Sequence, residues 1–268
     1  MEYTPDEIIV VCISRQICDG EVVAQGLATP LVAAGYLLAR HTHAPHLYFA
    51  SAIGQGICRQ AAPLSLSHVE SLWLDRSLTN IGFARAATEI LPTLRPKEFF
   101  RPAQVDSRGN TNNIAIGKNY LHPRLRLPGT GGIPDVTTFL EDIYLYVPRH
   151  SRVTFVHKLD FCAGLGHNEA RTRGKGPNIL ISDMGQFDFA NGQMRLVSYH
   201  SGHTIEDIQK HTGFPLEVAP EVHETPAPTI EEISLLRNEI DPDGIRKLET
   251  LSGAARRELL HTILANGG

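Results

Sequence analysis

The segment from Glu21 to Ala50 constrains the fold of this chain more than any other. Glu21-Val22-Val23-Ala24-Gln25 is a short β-branched run and reads as a strand. Gly26 to Thr29 reads as a turn, and Pro30 opens a helix to about Arg40. Proline suits the first helical position, because the N–H it lacks would be orphaned there anyway. Leu47–Ala50 reads as the next strand. Strand, helix and strand in this order predict parallel strands joined by a crossover, and so an α/β fold. Ligands of such sheets bind at the carboxyl ends of the strands, where the loops converge. The turn after Ala50, made of Ser51, Ala52, Ile53, Gly54 and Gln55, is therefore the first candidate site.

Composition narrows the class. At 268 residues the chain suits one large α/β domain or two small ones. A net charge of -4 implies no basic face, so nucleic acid is not an expected partner. No apolar run reaches the length of a membrane span. The acidic start, Met1 to Glu7, lacks the basic region of a signal peptide. The four cysteines are irregularly spaced without a CxxC pair, so free thiols and a cytoplasmic location are expected. Thirteen histidines include the group His41, His43 and His46 and the pair His200 and His203. None has a carboxylate or thiol at zinc-binding spacing, and no HExxH occurs, so no metal is expected.

Further along, residues 6–18 show helical spacing of Ile8, Ile9, Cys12, Ile13 and Ile17. Residues 77–91 read as a helix broken by Pro92, and residues 143–147, 152–156 and 178–182 as strands. Asn191-Gly192 between two strand-like runs signals a two-residue type I′ hairpin. A helix is predicted from Thr204 to His211, closed by Gly213. Thr229 and Glu232 have capping-box spacing and predict a helix start. Val222–Pro228 reads as a proline-rich tether, giving an expected division into an α/β domain over 1–220 and a tether with C-terminal helices over 221–268.

Two more loops carry candidate chemistry. Asp106 to Gly109 is a turn signal followed by Asn110, Asn112 and Asn113, whose amides both donate and accept. Side chains of this kind ordinarily bond their own backbone. Gly129, Thr130, Gly131 and Gly132 follow Pro128, and glycines let backbone N–H groups converge on an anion. The stretch is neither a P-loop nor a dinucleotide fingerprint. Lys118, Arg124 and Arg126 lie nearby and suit either phosphates or solvent. Cys58 is a conceivable nucleophile or a small buried hydrophobe.

Several strings recur in a set order: Gln16-Ile17, Gly20, Val22-Val23; Thr29-Pro30-Leu31; Gln104-Val105-Asp106, Gly109-Asn110, Asn112; Gly129, Gly131-Gly132; Ile181-Ser182-Asp183, Gly185, Phe187, Phe189; Thr212-Gly213-Phe214; and Asn238 to Pro242. Together they resemble the B (β) subunit of the class I CoA-transferases, glutaconate CoA-transferase in particular, over about residues 6–241. The resemblance implies a Rossmann-like α/β fold, with a parallel or mixed sheet and helices on both faces. It implies a separate α subunit, an α2β2 assembly and a coenzyme A thioester as substrate, with no bound cofactor. In that family a glutamate in the turn after the second strand attacks the thioester, forming an anhydride and then a glutamyl-CoA. Here that position aligns with Ala50. Two offshoots are similar in lacking the glutamate: the ring-opening hydrolase of steroid degradation and the decarboxylase of 3-methylglutaconyl-CoA.

The expectation is thus a β subunit diverted from CoA transfer to carbon–carbon cleavage. Ser51 and Gln55 would orient the substrate against Ala50, Ala52 and Gly54. Asn110, Asn112 and Asn113 would stand beside the thioester, and Gly129 to Gly132 would stabilise its enolate. The alternatives are a true transferase for dicarboxylic acids with a displaced or partner-supplied nucleophile, and a non-catalytic binding subunit.

Overall fold

The structure, a computed structural model, describes residues 2–26, 29–51, 56–60, 64–66, 75–141, 143–169 and 171–266. The fold is mixed α/β, as predicted, and divides into two compact units. One comprises residues 1–98 and 227–268, the other residues 99–226. The expected division at residue 220 falls inside a strand, Glu217–Glu224, which leaves only residues 225–228 as a connector to the helix at Ile230.

In the first unit α1 spans Pro5–Ser14 and α2 spans Pro30–Thr42. Strands β1 (Val22–Ala24), β2 (Tyr48–Ser51) and β5 (Lys97–Phe100, which runs across the unit boundary) place β1 centrally. Both of its pairings are parallel, with Ala24 opposite Ala50 on one side and Glu98 on the other. This is the crossover that the Glu21–Ala50 segment predicts. Beyond β2 the antiparallel strands β3 (Gly56–Cys58) and β4 (Ser77–Asn80) complete this half.

Helix α1 is buried along almost its whole length, from Ile8 to Ile13. Each fully buried aliphatic side chain of this kind contributes about 1.5–3 kcal/mol. α1 meets α2 at Gly35, where a Cβ would stand 2.5 Å from Ile13 Cγ2. Only glycine permits that approach. The C-terminal segment locks both helices. Glu249 Oε1 accepts the Leu31 amide at 3.0 Å, satisfying an orphan donor in the first turn of α2. Arg246, almost wholly buried, forms ion pairs with Asp6 (2.8 Å), Glu7 (3.1 Å) and Asp241 (2.8 Å). Thr229 and Glu232 form the predicted capping box, at 2.7 and 3.1 Å.

In the second unit, short strands β6 (Gln104–Val105) and β7 (Thr111–Asn112) pair, as do β8 (Ala115–Ile116) and β9 (Leu125–Arg126). The main strands are β10 (Ile143–Val147), β11 (Pro177–Ser182), β12 (Gly185–Asp188), β13 (Arg195–Tyr199) and β14 (Glu217–Glu224). They lie side by side in chain order. The two outer pairs are parallel and the inner pairs antiparallel. Val105, Leu145, Phe155, Leu180, Phe187 and Leu196 form the core. His150 is stacked on Phe155 at 3.6 Å and bonded to Ser182 and Thr212, both at 3.0 Å. Burial lowers its pKa to about 3, so it is a neutral core residue.

Several local predictions are corrected. Residues 77–80 form β4 rather than helix. The helical part runs from Phe83 through a π segment to Leu94, and Pro92 lies inside its last turn instead of breaking it. Proline is tolerated there because it sits in the first turn of a new α segment. Residues 152–156 form a turn and one bridge, Phe155 to Val105, because Phe155 is spent on core packing. Asn191 and Gly192 take the left-handed values that a type I′ turn needs, φ 53° and 72°. Pairing nevertheless stops at Asp188 and Arg195, so the connection is longer than two residues. Gly213 follows the helix Ile205–His211 but does not reverse the chain with a positive φ. It is glycine because a Cβ would collide with the Phe155 carbonyl.

Candidate functional site

The first unit lines up one row of residues level with the carboxyl end of β1, which on β5 falls at its second residue. Residues paired across neighbouring strands project from the same face. Glu98, Ala24 and Ala50 are so paired, and Ile57 of β3 stands opposite Ala50. Ala24 and Ala50 are buried, at 3% and 2% exposure, with Val22 and Ile57 against them. The Gln25 amide donates to the Ala50 carbonyl at 3.0 Å and carries the β1 turn past the end of β2. Ser51 closes β2 opposite Gly56. Ala52, Gly54 and Gln55 lie outside the described residues.

Cys58 is paired with Phe49, on the face opposite Ala50. Burial raises its thiol pKa further, so no thiolate is poised over the row.

Glu98 is the residue that sequence reasoning missed. It is 8% exposed, and its Oε2 is buried without a hydrogen-bond partner among the described residues. Burial alone pushes its pKa up to about 7. The available signal was a glutamate between Lys97 and Phe99-Phe100, in a run whose strand character was not recognised. Lys97 points to the other face, where its Nζ meets Glu21 at 2.8 Å and the Gln16 carbonyl.

The second unit carries a cleft of about 1080 Å³. Four arginines line it, Arg101, Arg124, Arg149 and Arg152, with Asp160 as the acidic counterpart. Asp160 is itself engaged by the Gly117 amide at 3.0 Å and Gln104 Nε2 at 3.1 Å. The surplus of guanidinium groups favours an anionic ligand, since each presents a planar fork suited to phosphate or carboxylate. Of the predicted loop residues, Asn113 and Gly129 line this cleft, as does Arg124. Asn110, Asn112, Thr130, Gly131, Gly132, Lys118 and Arg126 are not on its wall.

The asparagines are heavily committed to the loop itself. Asn110 Nδ2 donates to Asp106 at 2.9 Å, and its Oδ1 accepts the Gly166 amide at 2.8 Å. Asn112, wholly buried, donates to Gln104 (2.7 Å) and the Ala115 carbonyl (2.8 Å) and accepts the Ile114 amide (2.9 Å). Asn113 accepts the Ala103 amide at 2.8 Å and donates to the Arg101 carbonyl at 3.0 Å. They shape the cleft's rim by holding the backbone. The Gly129 amide donates to the Asn113 carbonyl at 3.1 Å. A Cβ on Gly129 or Gly131 would meet nothing within 4 Å, so positive φ (108° and 51°) and not crowding selects glycine there.

Among the described residues no group of three histidine, cysteine, aspartate or glutamate side chains could hold a metal ion, and no helix is long and apolar enough to cross a membrane. His200 is bonded to Thr225 (3.0 Å) and the Ser182 carbonyl (2.9 Å), and burial lowers its pKa to about 4.

No family model matches the chain. It is similar to the B (β) subunit of 3-oxoadipate CoA-transferase from Pseudomonas knackmussii, 30% identical over 94% of this chain and 96% of that protein. It is 31% identical to the B (β) subunit of glutaconate CoA-transferase from Acidaminococcus fermentans, over 90% of this chain and 93% of that one. A shorter match, 31% identical over 56% of this chain and 62% of the relative, is to the cholesterol ring-cleaving hydrolase IpdB subunit of Mycobacterium tuberculosis. Among solved structures, the decarboxylase AibA/AibB aligns with a TM-score of 0.80 at 30% identity, covering 92% of this chain and 98% of that one. The chain belongs to the family of CoA-transferase B (β) subunits. Its relatives are named as transferases, a decarboxylase and ring-cleaving hydrolases.

Proposed function

We propose that this chain is the β subunit of a two-subunit enzyme that breaks a carbon–carbon bond in an acyl-CoA thioester, by decarboxylation or ring-opening hydrolysis of a glutaconyl-type or β-keto acyl-CoA. One observation carries the reading: the residue at the carboxyl end of β2, where the family resemblance implies a nucleophilic glutamate, is a buried alanine. An alanine forms neither an anhydride nor a thioester, so the covalent route of CoA transfer has no starting group on this turn. Carbon–carbon cleavage needs none. It needs a bound thioester, stabilisation of the enolate and a proton.

The four-arginine cleft supports an anionic substrate, and coenzyme A carries phosphates. Ser51 and Gln55 would orient the acyl group, with Ala50, Ala52 and Gly54 as its wall. Backbone donors of the 129–132 loop would polarise a thioester carbonyl. The Gly129 amide is already used by Asn113, which leaves this task to the amides that follow it. An α subunit completes the enzyme, as the paired names of the decarboxylase relative and the subunit names of the transferases suggest.

The test is incubation of the co-expressed complex with 3-methylglutaconyl-CoA or glutaconyl-CoA, with and without labelled acetate. Loss of CO2 or hydrolysis of the carbon skeleton, without labelled acetyl-CoA, is expected. Labelled acetyl-CoA would overturn the reading in favour of transfer from a displaced nucleophile.

A further inference from the structure

Ala24 and Ala50 present only methyl groups at the ends of β1 and β2, and the next position in their row is a carboxylic acid. Glu98 stands beside Ala24 on β5, two strands from Ala50 and on the same face. At a strand spacing of about 4.8 Å, its backbone lies roughly 10 Å from that of Ala50. A glutamate therefore faces the same small-residue floor as the position where the family resemblance implies one, but from a different strand.

Among the described residues, one oxygen of this carboxyl is left unpaired: its Oε2 has no hydrogen-bond partner among them. On the adjacent β1, Val22, Val23 and Ala24 bring no titratable group. From α2, the Tyr36 hydroxyl is bonded to the Ala24 carbonyl at 3.0 Å and reaches the Lys97 carbonyl. Lys97 and Glu21 satisfy each other on the opposite face. A buried carboxyl oxygen without a donor costs free energy, and carboxyls with shifted pKa values cluster at functional sites. Gly26, in the turn after β1, lies beside the carboxyl: a Cβ there would stand 4.0 Å from Glu98 Oε1, an ordinary van der Waals distance.

We propose that Glu98 is the proton-transfer group of the acyl-CoA reaction, holding a proton and delivering it to the carbanion that carbon–carbon cleavage leaves behind. This rests on the carbon–carbon-cleavage reading above. In decarboxylation, the bond to the departing carboxylate breaks heterolytically and CO2 leaves. The electron pair stays on carbon, delocalised into the thioester carbonyl. The Glu98 O–H bond breaks, a C–H bond forms, and Glu98 is left as carboxylate. A proton from water restores it. In ring opening, water adds its hydroxyl to the ring ketone carbon and the bond from that carbon to the α-carbon breaks, leaving a carboxylic acid. Glu98 protonates the α-carbanion, and the proton left from water restores Glu98. A carboxyl half protonated near neutral pH suits this task better than an ordinary glutamate, which would be ionised.

The reverse proton transfer gives a test that does not depend on cleavage. The full complex with its α subunit, in D2O with 3-methylcrotonyl-CoA, is expected to exchange the γ-protons for deuterium, followed by NMR. Glu98→Gln, which preserves shape and neutrality, should slow exchange by about 100-fold or more, the range for loss of a general acid–base group. Binding of 3-methylcrotonyl-CoA, measured by calorimetry, should change by less than about 3-fold. The wild-type rate should depend on pH with a midpoint near 7, and the residual rate of Glu98→Gln should not. Exchange that survives in Glu98→Gln, or a wild type that binds the thioester without exchanging it, would overturn the proposal. So would a CoA adduct trapped on Glu98, which would make it a nucleophile. Exchange without any loss of CO2 from 3-methylglutaconyl-CoA would instead uphold Glu98 as the proton-transfer group and reject decarboxylation of that thioester.

Discussion

Glu7 and Glu98 are both glutamates withdrawn from water in the unit formed by residues 1–98 and 227–268. At Glu7 burial pushes the pKa up, but the Arg237 hydrogen bonds, the Thr4 amide and the Arg246 charge outweigh it and hold the group at about 2. At Glu98 burial acts unopposed and the group rises to about 7. Glu7 sits where chain ends are tied together, among two arginines and the start of a helix. Glu98, the second residue of β5, stands level with the carboxyl end of β1, in a row with Ala24 and Ala50. Withdrawal from water does not by itself say what a carboxyl does. The donors supplied with it set its charge: they hold Glu7 ionised, while burial favours the neutral form of Glu98.

The largest stability effect should come from Arg246→Met. It would leave Asp6, Glu7 and Asp241 buried without their shared cation, and breaking a buried pair costs about 3–5 kcal/mol. Denaturant unfolding would read this, and a loss under about 1 kcal/mol would break the contrast by showing that Glu7 is not held by charge.

Glu98→Gln should sharpen the contrast from the other side. A folded pKa raised from 4.5 to about 7 means the unfolded state ionises first as pH rises. Stability from the neutral form is therefore complete below about pH 4.5 and is lost between there and about 7, by up to roughly 3 kcal/mol. Wild type and Glu98→Gln should melt alike near pH 4.5, and the variant should melt higher at about pH 8. Parallel melting curves across this range would mean that Glu98 ionises normally.

Gly35→Ala should cost about 1–3 kcal/mol, because Ile13 must move from the α1–α2 contact. A neutral result would show that α1, and Glu7 with it, is held by the ion pairs alone. The smallest change is expected for Arg237→Gln, whose side chain is 42% exposed. Glu7 stabilises the fold above its unfolded pKa, and this is lost as pH falls from about 4.5 to about 2. Removing Arg237 raises the lower limit, so the acid-unfolding midpoint should move to higher pH, with melting near neutral pH changed little.

Much of the fold was legible because its signals are local. Pro30 at a helix start, Thr229 with Glu232, and the apolar runs at 143–147 and 178–182 each specify their own element. Where prediction failed, distant packing had overridden a local signal. Residues 152–156 look like a strand but give Phe155 to the core, and 77–80 pair with β3 despite a helical pattern. For the candidate site, the sequence singled out the turn after Ala50, most of which lies outside the described residues, and two loops of which Asn113 and Gly129 line the cleft. It did not reveal the four-arginine cleft, whose arginines come from positions 101, 124, 149 and 152.

By itself, then, the sequence determined the parallel crossover, the helix caps and the alanine at the end of β2, because each depends on residues adjacent in the chain. Only the tertiary structure decided that Glu98 shares a row with Ala50 while Cys58 does not. The reason is register: a shift of one residue in strand pairing turns every side chain to the other face, and residues 24, 50 and 98 meet only once their strands are aligned.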